Sequence, residues 1–95
     1  MNDEAVFDDL KSAVYRLTDL PKFLASHSKN DRKHGQIILR DILLPKFSEL
    51  IRHFDQYGCP DLADPRDNWP KYLTYLKNGE YVKAMKFAGD WYRNL

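Results

Sequence analysis

Residues 35–47 read "GQIILRDILLPKF", and the fold turns on whether this run is helix or strand. Three isoleucines favour a strand, because β-branched side chains are stiff in a helix and pack well on a pleated surface. Two features outweigh them. Pro45 lacks the N–H that a sheet ladder needs, and the residues beyond it keep a helical rhythm. Leu39, Leu43, Phe47, Leu50, Ile51, Phe54 and Tyr57 share one face of a helix that Gly58 and Pro60 close. This helix is expected to begin near Asp31 or Gly35 and to bend or split at Pro45. Drawn on a single wheel, Ile37, Ile38, Ile42 and Leu44 fall outside its core stripe. That surplus needs a cover, whether the 20–30 segment, the C-terminal helix or another molecule.

Upstream, Val6, Phe7, Leu10, Ala13, Val14 and Leu17 recur at three- and four-residue spacing, with Asp8, Asp9, Lys11 and Arg16 opposite. The pattern predicts an amphipathic helix over 4–20, capped by Asn2 or Asp3. At Pro21 a kink or a fresh start capped by Thr18 or Asp19 is expected, with Phe23 and Leu24 extending the core face. "SHSKNDRKHG", residues 26–35, has no periodicity and reads as a loop. Downstream, "GCPDLADPRDN" (58–68) reads as successive turns. Asp67 or Asn68 should then cap a short helix that tolerates Pro70 in its first turn and carries Trp69, Tyr72, Leu73 and Leu76. A last helix, Glu80 to Asn94, sets Tyr81, Ala84, Met85, Ala88, Trp91, Tyr92 and Leu95 on one side, against Lys83, Lys86, Asp90 and Arg93 on the other.

The segment "YLKNGEYVKAMKFA" (75–88) resembles the inter-helix turn of a tetratricopeptide repeat, where a Gly and an aromatic precede an Ala packed between two helices. The resemblance implies a helical hairpin here. No second copy recurs at a period near 34 residues, so a repeat array is not expected.

A chain of 95 residues supports one core, so residues 1–95 form a single domain. Aromatic residues make up 14% of it and deliver much buried area from few elements. The expected fold is all-α: a small irregular bundle of four or five helices, with two kinked long helices and a C-terminal helical hairpin. Formal net charge is +1, with −3 over residues 1–19, +4 over 22–46, −3 over 49–67 and +3 over 71–93. Alternation of this kind lets neighbouring antiparallel segments attract and forms no basic arm. Cys59, the single cysteine, has no internal disulfide partner, which favours a reducing, cytoplasmic setting. The acidic N-terminus lacks a secretory signal pattern, and no apolar run is long enough to span a membrane.

Catalytic chemistry finds little footing. His27, His34, His53 and Cys59 lack the paired spacing of a zinc site, and Cys59 has no base set beside it by helix spacing. Asp61, Asp64 and Asp67, with His53 nearby in sequence, are the one carboxylate cluster, yet their three-residue spacing suits turn and cap positions. Neither an enzyme nor a bound cofactor or metal is expected. Two basic features could meet nucleic acid: Lys29, Arg32, Lys33 and His34 in the loop, and Lys83, Lys86 and Arg93 on the last helix. A near-zero net charge ranks that second, because bundles wear such stripes as solvated faces. The leading expectation is a regulatory module that binds a protein, a second copy included, through Ile37, Ile38, Arg40, Ile42 and Phe87. Tyr15 and Tyr75 also fall off the core faces. Arg40, close to the core stripe, should reach an acidic partner on another element or emerge at an edge.

Overall fold

A computed structural model describes residues 3–58 and 64–95. Among the described residues five α-helices run in order: α1 (Asp3–Leu24), α2 (Lys29–Ile38), α3 (Leu44–Tyr57), α4 (Pro65–Lys77) and α5 (Tyr81–Arg93). A π-helical turn, Leu39–Leu43, joins α2 to α3 without a break, and no strand occurs among the described residues. The all-α bundle with a C-terminal hairpin is thus what the chain forms. The rival strand reading of 36–44 is not.

Helix α1 lies at the centre. It makes its most extensive contact with α5, then with α2, while α4 packs on α5 and α3. Val6, Leu10, Val14, Leu17 and Leu20 supply its buried side, and Ala84 and Ala88, both fully buried, let α5 approach closely. From the other helices Leu43, Phe47, Leu50, Phe54, Trp69, Tyr72, Leu76 and Trp91 complete the core. Phe47 lies flat on Trp69, centroids 4.1 Å apart at 9°, and also meets Trp91 at 5.8 Å. These rings tie α3, α4 and α5 together. Tyr57, expected on the core stripe, is instead 67% exposed in the last turn of α3.

Pro21 neither starts a new helix nor ends α1, which continues to Leu24. A proline withholds the N–H that the carbonyl four residues back would accept, here that of Leu17. The Tyr72 hydroxyl, arriving from α4, donates to that carbonyl at 2.9 Å in the buried core. Burial pushes this hydroxyl well above its ordinary pKa of 10.0, so it stays protonated and available as a donor. Thr18 caps nothing; its hydroxyl donates back to the Tyr15 carbonyl within α1.

The presumed loop 26–35 is mostly helix. Ser28 caps α2 by accepting from the Asp31 N–H, and Ser26 donates to the Asp31 carboxylate at 3.0 Å. Ser-x-x-Asp is the signature that composition alone obscured. Gly35 then lets α2 lie against the end of α1: a Cβ there would stand 2.9 Å from Phe23 Cβ and 3.1 Å from Leu24 Cδ2. Through Pro45 the helical hydrogen bonding continues by a change of register. The Leu44 N–H reaches back five residues to the Leu39 carbonyl, and Pro45 enters the first turn of α3, where no intrahelical donor is needed. The extra residue in the turn also resets the phase. In an uninterrupted α-helix Leu43 would sit about 80° off the line of Gly35, and one inserted residue turns it back by about 100°. Gly35, Leu43 and Phe47 are all buried as a result.

Helix α4 begins a turn earlier than the expected Asp67 or Asn68 cap. Asp64 is its N-cap, accepting from the Arg66 N–H at 2.9 Å, with Pro65 at the first position. Pro70 therefore sits inside the helix rather than in its first turn. Asp3 is the first residue of α1, while Asn2 and the turns expected at 59–63 lie outside the described residues.

Stability measurements on single and paired substitutions test this account. Tyr72→Phe should destabilise by about 1–3 kcal/mol, because it orphans a buried carbonyl. In a Pro21→Ala background the loss should shrink, since the new N–H reaches Leu17, and additive losses in chemical denaturation would contradict this. Gly35→Ala should show a net loss of about 1 kcal/mol, overpacking outweighing the propensity gain. Gly89, whose Cβ would meet nothing within 4 Å, should by contrast stabilise as Ala by about 0.5–1 kcal/mol.

Candidate functional site

The outward side of α1 is a crest between two walls. On one side stands α5, which brings Tyr92 against Tyr15, ring centroids 5.4 Å apart. On the other stand α2 and the π turn. Three grooves open along this crest. One of about 590 Å³ is lined by Asp8, Lys11, Ser12, Tyr15, Arg16 and Tyr92. A second, of about 410 Å³, is more apolar and runs between α1 and α2 past Tyr15, Arg16, Leu20, Phe23, His34 and Ile38. The third, about 160 Å³, lies where Ile42, Leu43 and Lys46 face Asp9, Ser12, Ala13 and Arg16.

Arg16 lines all three. It has no hydrogen-bond or ion-pair partner among the described residues, although carboxylates lie close along the same helix. Asp9 is held by Lys46 at 3.3 Å, and Asp19 by Lys22 at 3.5 Å. The guanidinium therefore stands uncompensated among exposed or half-exposed apolar groups: Tyr15 at 56%, Ile42 at 44% and Tyr92 at 37% exposure. An arginine ringed by aromatic and aliphatic surface is the composition that dominates binding energy at protein interfaces.

The residues singled out from sequence are distributed unevenly. Ile38 and Ile42 border these grooves, whereas Ile37 is exposed on α2. Among the described residues Arg40 reaches no other element; it pairs with its exposed neighbour Asp41 at 2.8 Å, and the hydrogen bond holds the Asp41 carboxyl below its ordinary range. Phe87 is half-buried against Tyr75 at 5.7 Å and Trp91 at 6.4 Å, so it belongs to the α4–α5 hairpin and not to the crest. The residues that sequence reading passed over are Arg16 and Tyr92, one assigned to a solvated face and the other to a core face. Neither had a signal, because the capture of Asp9 by Lys46 and the meeting of Tyr92 with Tyr15 are tertiary properties.

Among the basic residues, Lys29, Arg32 and Lys33 ride on a helix rather than a loop, and Arg32 donates to the Ser26 carbonyl at 2.8 Å. Lys83 is paired with Glu80 at 3.4 Å and Arg93 with Asp90, while Lys86 is exposed. Among the described residues no three His, Cys, Asp or Glu side chains converge on a point that could hold a metal ion. His34 packs edge-on against Phe23, and His53 lies beside Phe54 and Tyr57. Asp64 serves the helix: besides the Arg66 N–H it binds the Arg66 guanidinium, which also bridges to Asp55 at 3.2 Å. Cys59 and Asp61 lie outside the described residues. No helix among these is long and apolar enough to cross a membrane. Compared with protein families, curated proteins and solved structures, the chain finds no match in any of the three.

The Arg66 side chain, as hydrogen-bond donor above all, holds the Asp64 carboxyl below its ordinary 3.8 despite partial burial. A depressed folded-state pKa means the cap contributes fully above the unfolded value and fades as pH falls through the folded one. Asp64→Ala is expected to destabilise by about 1 kcal/mol at neutral pH and by progressively less as the pH is taken below about 3.8. A loss of equal size at pH 7 and pH 2 in urea titrations would contradict that role.

Proposed function

We infer that this chain is a non-catalytic protein-interaction module that works in the cytoplasm and docks a protein on the crest of α1 and its flanking grooves. The observation that carries the reading is Arg16, an unpaired guanidinium set where three grooves meet, among Tyr15, Tyr92, Ile38 and Ile42. A partner that covers it gains a charged anchor and removes apolar side chains from water at the same place. The cytoplasmic setting rests on the lone cysteine. Nucleic-acid binding through Lys29, Arg32, Lys33, Lys83, Lys86 and Arg93 draws less support, since Arg32, Lys83 and Arg93 already have acceptors of their own and the six are spread over two helices.

A photo-crosslinking amino acid at position 15 or 42, introduced in living cells, should give discrete protein adducts, while the same group at the exposed Thr74 on α4 should give none. Failure of both crest positions to capture any protein, a second copy included, would overturn the reading.

A further inference from the structure

On the crest itself, Asp8, Ser12 and Arg16 form one ridge at four-residue spacing, the row that interdigitates in the commonest helix crossing. Asp8 and Arg16 both lack a hydrogen-bond or ion-pair partner among the described residues. Lys11, the nearest cation in sequence, is instead placed over the Phe7 ring at 5.8 Å. The ridge thus carries one free negative charge and one free positive charge about 12 Å apart, with a small side chain midway. Ser12 is exposed and lines grooves on both sides of the crest, so the crossing point is clear of bulk.

We propose that the occupant of this face is a second copy of the chain, with α1 crossing α1 antiparallel about a two-fold axis at Ser12. The charge arrangement selects this partner. A two-fold axis through residue 12 places residue 8 of one copy opposite residue 16 of the other, so both free charges are satisfied twice and by the same contact. The operation keeps Tyr15 on one side of the crossing and the groove where Ile42 is exposed on the other, in both copies. A polar centre with Tyr15 and Ile42 beside it gives the ion pairs partial shelter from solvent, where they discriminate orientation better than at an open surface. A parallel arrangement would set like charges against each other and is disfavoured by the same residues. This pairing rests on the protein-binding reading above and specifies its partner.

Sedimentation equilibrium on the whole chain is the test. Wild type should dimerise. Asp8→Arg and Arg16→Asp, each turning two attractive pairs into two repulsive ones, should weaken the dimer by about ten- to thirtyfold. The Asp8→Arg/Arg16→Asp double variant should recover, and so should an equimolar mixture of the two single variants, whose charges complement each other across the crossing. Circular dichroism establishes that each is folded. A monomeric wild type, single variants as tight as wild type, or a double variant and mixture no tighter than the singles would each overturn the pairing. Should that happen while crosslinks from position 42 still capture a different protein, the docking face survives and only its occupant is wrong.

Discussion

The carbonyl of Leu17 is the group on which the rest of the molecule depends. Pro21 deprives it of its helical donor, and a buried carbonyl left without one is costly. The Tyr72 hydroxyl meets the need from α4, and the consequences spread from there. With its carbonyl satisfied, α1 runs on through Leu24, and its last turn becomes the wall against which Gly35 places α2. The position of α2 sets the π turn, the π turn sets the phase of α3, and α3 delivers Phe47 to Trp69 and Trp91. Since Trp69 and Tyr72 lie on the same helix at near-parallel planes, the aromatic stack that anchors α4 also aims the hydroxyl. The two ends of the argument support each other, so the site at Leu17 and the ring cluster form a single cooperative unit.

Helix identity was legible in the sequence because periodicity and caps are local. The runs over α1, α3 and α5 show their stripes, and Gly58 closes α3 with a positive φ of 82° as its position past the last periodic residue implies. The prolines were not legible in the same way. Each can break a helix, and whether it does depends on a group distant in sequence: Tyr72 for Pro21, or a change of hydrogen-bond register for Pro45. The apparent apolar excess of "GQIILRDILLPKF" has the same origin. A single wheel superposes two stripes of different phase, one for α2 and one for α3, and spreads their apolar residues over nearly the whole circumference. Resolving the phases moves Ile38 and Leu39 into partial cover and leaves Ile37, Ile42 and Leu44 open.

The candidate site was legible only on one of its walls. Ile38 and Ile42 could be singled out because they violate a pattern, and pattern violations are visible in one dimension. Arg16 violates nothing, standing where an amphipathic helix ought to be charged. Its distinction arises when Lys46 comes from α3 to hold Asp9 and Lys22 folds back on Asp19. These pairs are individually weak, yet together they help decide which charges on α1 are left over.

The strongest packing partner of the first helix is the last one in the sequence. During synthesis the apolar side of α1 therefore emerges long before Ala84, Ala88 and Trp91 exist to cover it. At about 5–20 residues per second, Leu10, Val14 and Leu17 wait several seconds for their lid. The nascent chain carries a sticky, unfinished helix throughout that interval, and closure of the core waits for α5. A ribosome that stalls before α5 releases a product whose central helix has no place to go, and such a fragment is natural prey for chaperones and proteases.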